Sequence, residues 1–126
     1  MATKVRGVKG ATTTDGTTAE DVLAATEQLL TTLIEANGID QDDVAAVQFT
    51  TSPDLVAELP AVAARERLGW NDAPLMCGHE MARPGALGQC IRILIFWNTD
   101  KAQSEIRHAY LNDAAKLRPD LSTVNT

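Results

Sequence analysis

The segment Cys90–Trp97, CIRILIFW, constrains this chain more than any other stretch. In an extended run alternate side chains point to opposite faces. Ile91, Ile93 and Ile95 therefore share one face, and Cys90, Arg92, Leu94 and Phe96 share the other. The isoleucine face belongs to a core. The second face is mostly apolar too, so the strand is meant for the interior, and yet it carries Arg92. Burying a guanidinium is costly unless it is paired. One partner is an internal carboxylate, with Glu80 the nearest candidate across a hairpin. The other is an anionic ligand, which arginine's planar fork suits. A salt bridge, or an edge arginine reaching solvent, is the plain structural reading and stays open at this point.

A chain of 126 residues is long enough for one domain with a real core and too short for two. A net charge of −6 argues against non-specific binding to nucleic acid or anionic membranes, but not against one local positive pocket. The longest apolar stretches are too short to span a bilayer. The opening Met-Ala-Thr-Lys has no apolar signal core. Two cysteines, Cys77 and Cys90, make no disulfide framework, so the expected compartment is a reducing cytoplasm.

The remaining chain alternates between strand and helix signals. Val5–Lys9 is a short strand, followed by a threonine-rich turn region. Thr17 and Glu20 have capping-box spacing, and Val22, Leu23, Leu29, Leu30, Leu33 and Ile34 fall on one helical face. Asn37-Gly38 ends that helix. Val44–Thr51 is a second strand. Ser52-Pro53-Asp54 is a break, and a second helix runs through Ala61–Leu68 to a stop at Gly69. Pro74–Cys77 is a short strand, and 78–89 is a loop or hairpin around Pro84-Gly85. Ile106–Leu111 is a last strand, followed by a helical turn at Asn112–Lys116 and a tail. The order implies a single α/β (α+β) domain with a mixed sheet and two main helices.

Several polar residues bear on the Arg92 question. Lys9, Cys77, Glu80, Tyr110 and Arg118 each have an ordinary structural role available. Together they would make a cationic pocket with one carboxylate and one thiol, suited to a small dianion carrying a hydroxyl. Competing chemistries are weaker. Cys77-x-His79 invites a cysteine–histidine nucleophile, but residues two apart on an extended segment rarely hydrogen bond well. Cys77, His79, Glu80 and His108 lack the spaced pairs of a zinc site. RGVKGATT has glycines without the spacing of a phosphate or dinucleotide loop.

Seven segments then coincide in order and spacing. VRGVKGATT, SPDL before a proline-led helix, CGHEM, GQCIR, WNTD, IRHAYL and LRPDL together resemble the AroH-class chorismate mutases over nearly the whole chain. The resemblance implies a single domain spanning 1–126, with a C-terminal tail from about residue 117 that is free to move. It implies a homotrimer of pseudo-α/β-barrel form with sites at the clefts between subunits. The implied reaction is the rearrangement of chorismate to prephenate, toward phenylalanine and tyrosine, with no metal and no cofactor. Neither nucleic acid nor membrane is an implied partner.

Position by position, the resemblance gives Arg92 the ether oxygen of the breaking bond and a carboxylate. It gives Glu80 and the Cys77 region the substrate hydroxyl, and Tyr110 a substrate carboxylate. Arg65 stands near the pocket mouth, and Leu117 and Arg118 lie in the closing tail. Leu59 stands where some relatives carry an aromatic residue, and Val62 where some carry lysine. Lys9 stands where an arginine usually grips a carboxylate. Lysine keeps the charge and loses the bidentate fork, so weaker substrate binding with part of the rate retained is expected. Arg6 lies on the opposite face of its strand and is no substitute. Two alternatives to the mutase remain: a non-catalytic or weakly active relative that binds a small dianion, and a similarly folded enamine or imine deaminase.

Overall fold

The run around Arg92 becomes an inner strand of a six-stranded mixed sheet. The computed structural model describes residues 3–117 and 122–124. Its elements are β1 (Lys4–Thr13), α1 (Ala19–Asn37), β2 (Val44–Thr51), α2 (Pro60–Leu68), β3 (Leu75–His79), β4 (Cys90–Thr99), β5 (His108–Tyr110) and β6 (Ser122–Val124). Across the sheet the order is β3-β2-β4-β1-β5-β6. β4 runs antiparallel to both of its neighbours, β1 and β2. The other three pairs are parallel. This is the expected α+β class with two main helices.

Both helices cover one face of the sheet. Leu29, Leu30 and Leu33 of α1 pack there with Val8, Val47, Phe49, Ile93, Ile95 and Trp97, all buried. Gly10 is what lets α1 come so close: a Cβ there would meet Leu29 Cδ1 and the Ala109 carbonyl oxygen, each at 2.9 Å. Such overlap forces side chains or backbone to move. Asn37, at the end of α1, fixes the entry to β5. Its Nδ2 donates to the carbonyls of Leu33 and Arg107, and its Oδ1 accepts from the Arg107 N–H at 2.8 Å. Gly38 ends α1 in the left-handed region at φ 72°, as the Asn37-Gly38 pair implied.

Some expectations need correction. β1 is not confined to Val5–Lys9: its Ala-Thr-Thr end is held in the sheet by pairing with β4 down to Thr13 opposite Cys90. The cap of α1 is Thr18 with Asp21, not Thr17 with Glu20. The Thr18 hydroxyl accepts from the Asp21 N–H at 3.1 Å, and Asp21 Oδ2 accepts from the Thr18 N–H at 3.0 Å. The doubled threonines and adjacent acids offer two registers, and the shorter aspartate closes the ring. β3 and β4 form no hairpin, because β2 lies between them. The third strand runs to His79, and the fifth is only His108–Tyr110. β6 falls in what the sequence presented as tail. Among the described residues, no helix is long and apolar enough to cross a membrane.

Candidate active site

Register places one residue from each of five strands on a line. Gly78 of β3 pairs with Thr50 of β2, Thr50 with Arg92 of β4, Arg92 with Ala11 of β1, and Ala11 with Tyr110 of β5. Directly paired residues project to the same face, so these five share the face opposite the helices. Lys9 lies two residues from Ala11 and joins them.

Glu80 follows β3 and reaches Arg92 across β2. Its N–H donates to the Thr51 carbonyl at 2.7 Å, fixing the chain just beyond the strand. Its Oε2 accepts from the Thr50 hydroxyl at 2.8 Å and lies 3.1 Å from Arg92 Nε. That ion pair lies outside hydrogen-bond angles, so the buried Nε–H has charge compensation without a hydrogen-bond acceptor. Both side chains remain partly open, at 26% for Arg92 and 36% for Glu80. Glu80 is therefore the internal carboxylate that Arg92 required, reached over a strand and not across a hairpin. The pair leaves the guanidinium facing an open cavity of about 500 Å³. Lys9, Glu80, Arg83, Arg92, Lys116 and Leu117 are among its walls.

A clamp sets the start of β4. The Cys90 N–H donates to Ser52 Oγ at 2.9 Å, and the Ser52 N–H donates back to the Cys90 carbonyl at the same distance. The Ser52 hydroxyl donates to Asp54, whose Oδ2 accepts from the Gln89 N–H at 2.9 Å. Gln89 has φ 47°, the left-handed region a non-glycine residue adopts at a cost. The Ser52-Pro53-Asp54 break thus holds the strained residue that leads into β4, three positions before Arg92. The Ser52 bond, aided by Gln89 and opposed by burial, holds the Asp54 carboxyl below its ordinary range.

Of the other expected site residues, Leu117 borders the cavity and Tyr110 shares the Arg92 row, whereas Cys77, Leu59 and Arg65 do not converge on Arg92 within this subunit. Cys77 pairs with Phe49, so its side chain faces the helices and packs against the main core. Burial pushes its thiol pKa up, with backbone contact at Ala61 and the Arg65 charge working the other way. It is thus no activated nucleophile, and His79 Nδ1 is engaged by Thr51 Oγ1 at 3.0 Å. Among the described residues no three such donors converge on a metal position. Leu59, the exposed N-cap of α2, lines a separate cavity with Cys77 and His79. Arg65 is exposed on α2. Tyr110 is buried beside Ala11 and Ala114, and Leu117 packs on that cluster. Arg118 lies outside the described residues.

With this geometry in hand, comparison with known proteins is decisive. A family model described as chorismate mutase type I matches residues 5–121. The chain belongs to the type I chorismate mutases. It is 45% identical over 120 residues to a chorismate mutase AroH of Thermus thermophilus, covering 94% of this chain and 98% of that one. It is 45% identical over 123 residues to the chorismate mutase AroH of Bacillus subtilis, covering 97% of each chain. A chorismate mutase structure from Clostridium thermocellum superposes with a TM-score of 0.85 at 43% identity, over 87% of this chain and 97% of that one.

For a type I chorismate mutase, three side chains that the sequence did not single out bear on the site, two in the cavity wall and one behind Glu80. Thr50 orients Glu80 through its hydroxyl, and Arg83 and Lys116 add positive charge to the walls. The Pro84-Gly85 turn was a legible signal for Arg83, because a turn beside a cationic strand brings its first residue close. Thr50 had no such signal: it depends on the pairing of β2 with β4.

Proposed function

We propose that this chain catalyses the rearrangement of chorismate to prephenate at the cavity beside Arg92, in cytoplasmic phenylalanine and tyrosine biosynthesis. The observation that carries the reading is Arg92 itself, fixed on an inner strand and paired with Glu80, with Lys9 on the same cavity wall. A pericyclic rearrangement needs neither nucleophile nor proton transfer. It needs the substrate held folded with its reacting carbons close. It also needs positive charge where the ether oxygen becomes negative as its bond breaks. Arg92 supplies that charge without reorganising, because a strand holds it. Glu80 accepts from the substrate hydroxyl, Lys9 and Tyr110 take carboxylates, and no metal or cofactor enters the reaction. The family match along 5–121 favours this reading over a deaminase or a non-catalytic binder.

The working form is a homotrimer with sites at the subunit clefts, each subunit a single domain. Beyond the Arg92 cavity, the helix-free face carries exposed apolar side chains: Val5, Met76 and Phe96 are 57%, 63% and 39% exposed. A patch of this kind on an open sheet calls for cover. Leu59, Arg65 and the Cys77 side chain lie away from this subunit's own Arg92, and a neighbouring copy brings such residues to the cleft. Leu117 borders the Arg92 cavity, and Arg118 is the further cation that the family resemblance assigns to the site. Two free cysteines suit a reducing cytoplasm.

The test is chorismate turnover by the purified protein, followed as loss of chorismate absorbance and confirmed as prephenate. Arg92→Gln should lose at least about a thousandfold in kcat with an unchanged fold, the scale of removing a preorganised charge at a developing anion. Near-normal activity in that variant rejects the mechanism.

A further inference from the structure

The cavity beside Arg92 is more cationic than Arg92 and Lys9 alone make it. Its walls carry Lys9, Arg83, Arg92 and Lys116 against two carboxylates, Glu80 and Asp113, in a chain of net charge −6. Glu80 is already committed to Arg92. The guanidinium of Arg83 has no ion-pair or hydrogen-bond partner among the described residues. Cations gathered without internal partners are set for an anion from outside.

Arg83 is also held in place. The Ala86 N–H donates to the Arg83 carbonyl at 3.1 Å, and Gly85 has φ 79°. With Pro84 between them this is a type II turn, proline at its second position and a left-handed glycine at its third. Proline further confines the residue before it to extended backbone. The Arg83 backbone is therefore stiff, and its side chain starts from a fixed point on the cavity wall.

We propose that Arg83 is a carboxylate-binding residue of this site and supplies the bidentate grip that Lys9 lacks. The inference rests on the mutase reading, in which the ligand is a dianion. Arg92 serves the ether oxygen, and Lys9 offers a point charge with no planar fork. Among the described residues Arg83 is the other arginine lining the cavity, and a guanidinium's five donors in fixed geometry match a carboxylate. Lys116 adds charge without a fork. Arg83 thus governs affinity and leaves the bond-breaking step to Arg92.

Steady-state kinetics with chorismate on four proteins test this: the parent, Arg83→Ala, Arg83→Lys, and Arg83→Ala combined with Lys9→Arg. Arg83→Ala should raise KM roughly tenfold and hold kcat within about twofold, the loss of one charge-assisted carboxylate contact. Arg83→Lys should fall between, since charge returns without the fork. Lys9→Arg should recover much of the loss in the double variant, because a second guanidinium is then available. Arg83 is exposed, and thermal unfolding of each variant checks that the fold is unchanged. A KM for Arg83→Ala within twofold of the parent, or a loss falling on kcat, overturns the proposal and leaves the mutase reading standing. Absence of turnover by the parent overturns both.

Discussion

The chain has two phenylalanines, and they lie on opposite faces of the same sheet. Phe49 on β2 is fully buried under the helices, paired with Ile93 and Cys77. Phe96 on β4 is 39% exposed on the face that no helix covers. The helix-covered face is finished within one subunit: Val8, Phe49, Ile93 and Ile95 meet α1 and leave almost no exposed surface. The other face is finished only at one end, where Tyr110, Ala114, Leu87 and Leu117 gather around Ala11. Arg92 sits between that covered end and the bare apolar end. The core is concentrated on one face, and the other carries the Arg92–Glu80 pair, its cavity and exposed apolar side chains.

The largest effect expected from this contrast is on the covered face. Phe49→Ala should cost about 3–5 kcal/mol in urea denaturation, the range for deleting a buried aromatic side chain. A loss under about 1 kcal/mol would mean that the covered face is not the principal core. Phe96→Glu should act quite differently. It should leave the urea midpoint of the isolated subunit within the small range of surface substitutions. It should also convert the assembly to monomers in sedimentation velocity and remove most chorismate turnover, because a charge there opposes burial against a second copy. Unchanged mass with full activity would show that Phe96 is not at the subunit contact.

The two faces differed equally in how much the sequence disclosed of them. The covered face was legible from local pattern: the spacing of Leu29, Leu30 and Leu33 drew the helix stripe, and alternation in Ile91, Ile93 and Ile95 drew the strand. The site face was legible in its residue types and not in their arrangement. Arg92 was conspicuous because a guanidinium contradicts its neighbours. Its partner Glu80 is legible as a nearby carboxylate, but its route to Arg92 is not, since strand order is set by distant pairing and β2 lies between β3 and β4. The row from Gly78 through Thr50, Arg92 and Ala11 to Tyr110 depends on four independent registers. A one-residue slip in any of them would turn a member to the other face. Cys77 shows the same limit: its position beside Glu80 in sequence says nothing of its side chain turning toward the helices. β6 pairs only Ser122–Val124, too short a segment to carry a period.

The smallest expected effect concerns the join between the faces, where Asp54 holds the entry to β4. Its carboxyl accepts from Ser52 and from the Gln89 N–H, and its pKa is lowered, chiefly by the Ser52 hydroxyl. A carboxyl whose folded pKa lies below its unfolded value stabilises the fold above the unfolded value, near pH 3.8. That contribution is lost as pH falls through the lower, folded pKa. Asp54 is exposed, so solvent screening keeps it at or below about 1 kcal/mol. Asp54→Asn should therefore lower stability slightly at pH 7 by urea denaturation, and the gap from the parent should close as pH falls through the lowered, folded pKa. A gap that persists at low pH would mean that the charge contributes nothing and that shape alone holds Gln89. The strain at Gln89 gives the same variant a second readout. If the clamp sets the position of β4, kcat should fall by a small factor at pH 7 with a smaller change in KM, because Arg92 moves relative to the ether oxygen while Lys9 keeps its place on β1. A shift in KM with kcat unchanged would place the effect of the clamp on the cavity wall near Arg83 and not on the strand.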